Sequence, residues 1–96
     1  MREWLLRRTG PKAGTPAYAV QEAWIEMANA ARGSEARQDA AWQQMWDAAR
    51  AANATDVIES LRLIEASHEG GPLTYEQAVK RLRRSIDDLV AESKHG

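Results

Sequence analysis

The chain has 96 residues and a formal net charge of −1, from 13 Lys or Arg against 14 Asp or Glu. It holds no cysteine and no phenylalanine, and 18 of its 42 apolar residues are alanine. This length suits one domain; the composition excludes a disulfide framework, a thiolate zinc site, wholesale disorder, a membrane-spanning apolar run and binding to nucleic acid by bulk charge alone.

The chain starts with Met1-Arg2-Glu3-Trp4-Leu5-Leu6-Arg7-Arg8. Its apolar triplet is too short for a secretory leader, so the expected setting is the cytoplasm. Residues 9–16 carry two Gly and two Pro and read as a loop. Residues 1–15 are therefore expected to form an N-terminal arm, residues 16–93 a helical domain and residues 94–96 a frayed tail.

Thr15-Pro16 reads as a helix start, with Thr as N-cap and Pro at the first helical position. The spacing predicts a helix from Pro16 to Arg32, with Val20, Ala23, Trp24, Met27, Ala28 and Ala31 on its inner stripe. Gly33 is expected to end it in a left-handed conformation. Ser34 then caps a second helix, residues 35–52, whose inner face carries Gln38, Ala41, Trp42, Met45, Trp46, Ala49 and Ala52. Asn53 is expected to terminate it.

Thr55 or Asp56 is the expected cap of a third helix, residues 56–67, with Val57, Ile58, Leu61 and Ile64 inward. His68-Glu69-Gly70-Gly71-Pro72 ends it. Thr74 and Gln77 form a capping box that opens a fourth helix, residues 75–93. Its stripe is Ala78, Val79, Leu82, Ile86, Leu89 and Val90. The stretch Leu73-Thr74-Tyr75-Glu76-Gln77-Ala78 resembles helix starts in several unrelated helical families, small excisionase-type DNA binders among them. That likeness is mostly the capping box and transfers no function. The expected fold is all-α, a compact four-helix domain in which Trp24, Trp42 and Trp46 fill the volume that alanine leaves.

Catalytic constellations are missing from the sequence. His68 and His95 have no partner at metal-ligand spacing, and Gly70-Gly71-Pro72 lacks the lysine of a phosphate loop. Asp87 and Asp88 are adjacent and point about 100° apart on a helix, so they do not share a site. No catalytic residue, cofactor or metal is assigned, and the expectation is a protein that is not an enzyme.

Charge patterning says more. Residues 1–12 carry net +3, residues 13–79 net −6, residues 80–84 net +4 and the remainder net −2. An acidic body thus lies between two basic clusters. On the fourth helix Glu76 to Lys80, Arg83 to Asp87 and Arg84 to Asp88 have ion-pair spacing, which leaves Arg81 the freest cation. Trp4, Leu5, Leu6, Arg7 and Arg8 are one candidate contact surface, because Trp and Arg are enriched at binding hot spots. This arm is expected either to fold back on the domain, or to enter a partner or exchange between subunits. Glu22, Glu26, Asp39, Asp47, Glu59 and Glu65 are the candidate acidic face.

The first expectation is a module that binds another protein as an inhibitor, regulator or adaptor. In size and acidity it is similar to small phage-encoded inhibitors of host machinery. The alternatives are a nucleic-acid binder using Arg81 and Arg84 of the basic cluster, and a structural homo-oligomer joined through the arm. No membrane partner is expected.

Overall fold

A computed structural model gives the architecture; it describes residues 14–95. Among the described residues four helices follow one another: α1 (Pro16–Ala30), α2 (Glu35–Ala51), α3 (Thr55–Ser67) and α4 (Tyr75–His95). The described residues contain no strand. Each helix packs on its neighbour in sequence, and α1 also packs on α4, so the four close a ring. The short connections make neighbours antiparallel, which gives an up-down-up-down bundle of 40 × 29 × 21 Å.

Local chemistry explains most of the boundaries. The Tyr18 N–H donates to the Thr15 hydroxyl at 3.2 Å, and Pro16 occupies the first turn, where a missing N–H is harmless. The Ser34 hydroxyl accepts from the Arg37 N–H at 3.2 Å. At α4 the capping box is complete: Gln77 N–H donates to Thr74 Oγ1, and Thr74 N–H donates to Gln77 Oε1 at 3.0 Å. Asn53 takes the left-handed conformation, φ 51°, after α2.

Several expectations are corrected. Gly33 is not left-handed; α1 ends through Ala31 in the right-handed region, and the Gly33 N–H donates to the Ala30 carbonyl at 2.8 Å. A Cβ at Gly33 would meet Arg37 Cδ at 2.9 Å, in a flexible side chain that can move aside, and the Ala30 carbonyl oxygen at 3.3 Å. Neither Thr55 nor Asp56 caps α3; Ala54 takes the cap position without a side-chain bond. Gln38 is exposed rather than inward, and its amide donates to the Ala31 and Gly33 carbonyls of the turn. The fourth helix continues to His95, beyond the expected end at Ser93.

The core joins large and very small side chains. Met45, Leu61, Leu82, Val20 and Val57 are fully buried. Ala17, Ala23, Ala30, Ala41, Ala49, Ala54 and Ala78 are buried beside them, and small side chains of this kind let helix axes approach closely. Ser60 is the one buried polar residue among those described, which its sequence context did not reveal. Its hydroxyl donates to the Asp56 carbonyl at 2.9 Å and stands 3.2 Å from the Ser85 hydroxyl of α4. Ser85 in turn donates to the Arg81 carbonyl, so the polar pair is satisfied where α3 meets α4.

The tryptophans do not share one environment. Trp46 is buried, 8% exposed, edge-on to Trp42 at 6.3 Å and under the Arg50 guanidinium at 5.0 Å. Trp24 and Trp42, expected in the core, are only half-buried and pack on it from outside.

Candidate apolar groove

The half-buried indoles have a common cause. The first six residues of α2, Glu35 to Ala40, are all exposed; they reach α1 and its turn through the Arg37 and Gln38 side chains but bury no side chain there. On α1, Ala28 and Ala31, expected on the inner stripe, are instead exposed and too small to fill the space. A groove of about 620 Å³ opens there between the two helical hairpins. Trp24 and Met27 of α1 and Trp42 of α2 form one wall; Ile64 of α3 and Val79 and Leu82 of α4 lie opposite.

The rim of the groove is polar. Glu65 of α3, His68 and Glu69 just after it, and Tyr75 at the start of α4 reach it. The His68 and Tyr75 rings pack at 5.7 Å. Both residues are exposed, Tyr75 by 57%. Neither Glu65 nor Glu69 has a cationic partner among the described residues. The loop below them is shaped by two glycines. Gly70 sits at φ 77°, and a side chain on Gly71 would meet the Ala66 carbonyl oxygen at 2.8 Å.

The polar side chains that line the groove are Glu65, His68, Glu69 and Tyr75. No group of three or more His, Cys, Asp and Glu converges there or elsewhere among the described residues. No buried side-chain polar atom among them lacks a hydrogen-bond partner. What the groove offers is apolar wall area, two large aromatic surfaces and two exposed carboxylates.

The sequence-derived candidates fall elsewhere. Trp4, Leu5, Leu6, Arg7 and Arg8 lie outside the described residues. Glu22, Asp39 and Asp47 are exposed, and Asp47 accepts from the Gln43 amide at 3.0 Å. Glu26 makes a two-pronged bond with Arg37, at 3.3 and 3.2 Å, across α1 and α2. The Arg37 hydrogen bonds hold the Glu26 carboxyl below its ordinary range. Glu59 pairs with Arg81 at 3.3 Å across α3 and α4. These two ion pairs stand on opposite edges of the ring, so the acidic residues do not make one face. Only Glu65 of that set reaches the groove.

The basic cluster also needs correction. Lys80 pairs with Glu76 at 3.7 Å, as its spacing predicts. Arg81, expected to be the freest, is tied to Glu59. Arg83 and Arg84 are exposed and make no ion pair with Asp87, Asp88 or any other described residue. A helical ion pair on water is worth little, and here the tertiary partner of Arg81 was invisible to local spacing.

Fold and groove together define an all-α four-helix domain with an apolar cleft between its hairpins. No family model, curated protein or solved structure matches the chain. Among the described residues no helix is long and apolar enough to cross a membrane.

Proposed function

We propose that this protein is a non-catalytic binding module that holds an apolar, helix-forming segment of another protein in the groove, acting as an inhibitor, regulator or adaptor. One observation carries the reading: large aromatic side chains are left half-exposed around a cleft, although a four-helix core could have covered them. Exposed apolar concavities rimmed by polar groups mark interaction sites. The carboxylates of Glu65 and Glu69 favour a segment that carries Lys or Arg beside its apolar residues.

The test uses Ala28→Glu, an exposed wall position whose change spares the core. Wild-type protein immobilised in lysate is expected to retain a stoichiometric protein, and Ala28→Glu is expected to lose it. Retention that is equal for both proteins contradicts the reading.

The exposure of Arg83 and Arg84 without acidic partners favours a second reading, nucleic-acid binding through α4. Under it, Arg83→Ala with Arg84→Ala lowers affinity for DNA and flattens its salt dependence. Fluorescence anisotropy with duplex and single-stranded oligonucleotides decides; no binding at about 50 mM salt, where phosphate contacts are strong, removes it.

A further inference from the structure

The groove has a candidate occupant within its own chain. We propose that the N-terminal segment Trp4-Leu5-Leu6-Arg7-Arg8 docks in the groove of the same molecule and competes with the partner for it.

Chemistry matches on both sides. The segment offers one indole and two leucines to a wall built from Trp24, Met27 and Trp42. Residues 1–12 carry net +3, while the rim carries the exposed carboxylates of Glu65 and Glu69. Opposite charge at the edge of an apolar contact sets its orientation and speeds its formation.

Length also matches. Along α1, Ala28 lies about 20 Å from Thr15 at the helical rise of 1.5 Å per residue. The ten residues from Leu5 to Thr15 reach about 33–36 Å when extended, so the segment spans the distance with slack. Gly14, at φ 87°, breaks the helical direction just before Thr15, which lets the chain return along α1.

A path leads there. A second cleft, about 710 Å³ and lined by polar and apolar side chains alike, runs between α1 and α4 past Gln21, Ile25 and Val90. It shares Trp24 and Ala28 with the groove, so the two adjoin at these side chains. Ile25 is 40% exposed along it, an apolar surface that a returning strand of chain would cover. Arg83 and Asp87 border this path with opposite charges and leave it without a strong net field.

Tethering makes weak docking effective, because a segment on a short linker acts at millimolar effective concentration. The segment then sets a threshold: only a partner that outcompetes it gains the groove. This regulatory consequence rests on the groove being the partner site; the docking itself does not.

The absence of native cysteine allows a direct test in the full chain. Leu5→Cys is combined with Ala28→Cys in the groove, or with Gln44→Cys, exposed on α2 away from both clefts. Both are oxidised in a glutathione buffer. The expected result is an intrachain disulfide in the Ala28 pair, formed about tenfold faster than in the Gln44 pair, as local concentration requires. Adding Trp4→Ala and Leu6→Ala to the Ala28 pair is expected to slow it to the Gln44 rate. Equal rates in the two pairs overturn the proposal, as does a disulfide-linked dimer, which would make a second copy the occupant. Because no partner protein takes part, failure here is separate from failure of the capture experiment.

Discussion

The two ends of the bundle are built from the same residue types and behave differently. Toward the α2–α3 connection, Ala49 and Ala54 bring helices close enough to seal Met45, Val57 and Leu61 from water. Toward the α3–α4 loop, Ala28 and Ala31 are exposed, and the first turns of α2 bury no side chain there. Alanine closes a bundle only where the opposing helix is present. Where it is absent, alanine leaves a trough, and the tryptophans that would have filled a core become its walls. A sealed layer and an open apolar trough thereby stand in different parts of one small domain.

The contrast is broken most severely by substitutions in the sealed layer. Leu61→Ala is expected to destabilise the fold by about 2–5 kcal/mol in urea unfolding, because lost transfer energy adds to an unfilled cavity. A cost below about 1 kcal/mol would place Leu61 in a layer that collapses easily and would blur the distinction. A smaller effect comes from the capping box below the groove. Thr74→Ala is expected to cost about 1 kcal/mol, with Gln77→Ala in the same background adding little, since the two bonds are made together. Additive losses would show that the two side chains act independently.

The smallest effect concerns the Glu26–Arg37 pair, which ties α1 to the projecting end of α2. The Arg37 hydrogen bonds depress the folded-state pKa of Glu26. The pair's contribution is therefore present above the unfolded-state value and is lost as pH falls through the depressed folded value. Carbon-13 NMR titration is expected to show Glu26 titrating below ordinary glutamates, and Arg37→Gln is expected to return it to their range. An unchanged midpoint in Arg37→Gln would mean that the pair does not persist in solution.

Local signals in the sequence located the elements well. Thr15-Pro16, Ser34, Asn53 and the Thr74–Gln77 box each act through neighbours within a few residues, and each stands where its chemistry places it. Relations between helices were another matter. Spacing along α4 suggested that Arg83 and Arg84 would find Asp87 and Asp88, yet among the described residues the only tertiary partner taken up by the cluster is Glu59, on Arg81. Local spacing gives no reason for a buried serine at position 60 on α3, and its hydroxyl stands against that of Ser85 on α4. The groove was illegible for the same reason. Periodicity marks Trp24 and Trp42 as inward-facing, but whether a helix stands opposite them depends on how far α2 extends past α3.

Methionine supplies the sharpest comparison, since Met45 is fully buried and Met27 lines the groove. Equilibrium urea unfolding of Met45→Ala and Met27→Ala measures both layers with one chemical change. The account expects a loss of about 2–5 kcal/mol for Met45→Ala and less than half of that loss for Met27→Ala. Equal losses would show that the space around Met27 is filled like the rest of the core, and that no groove exists.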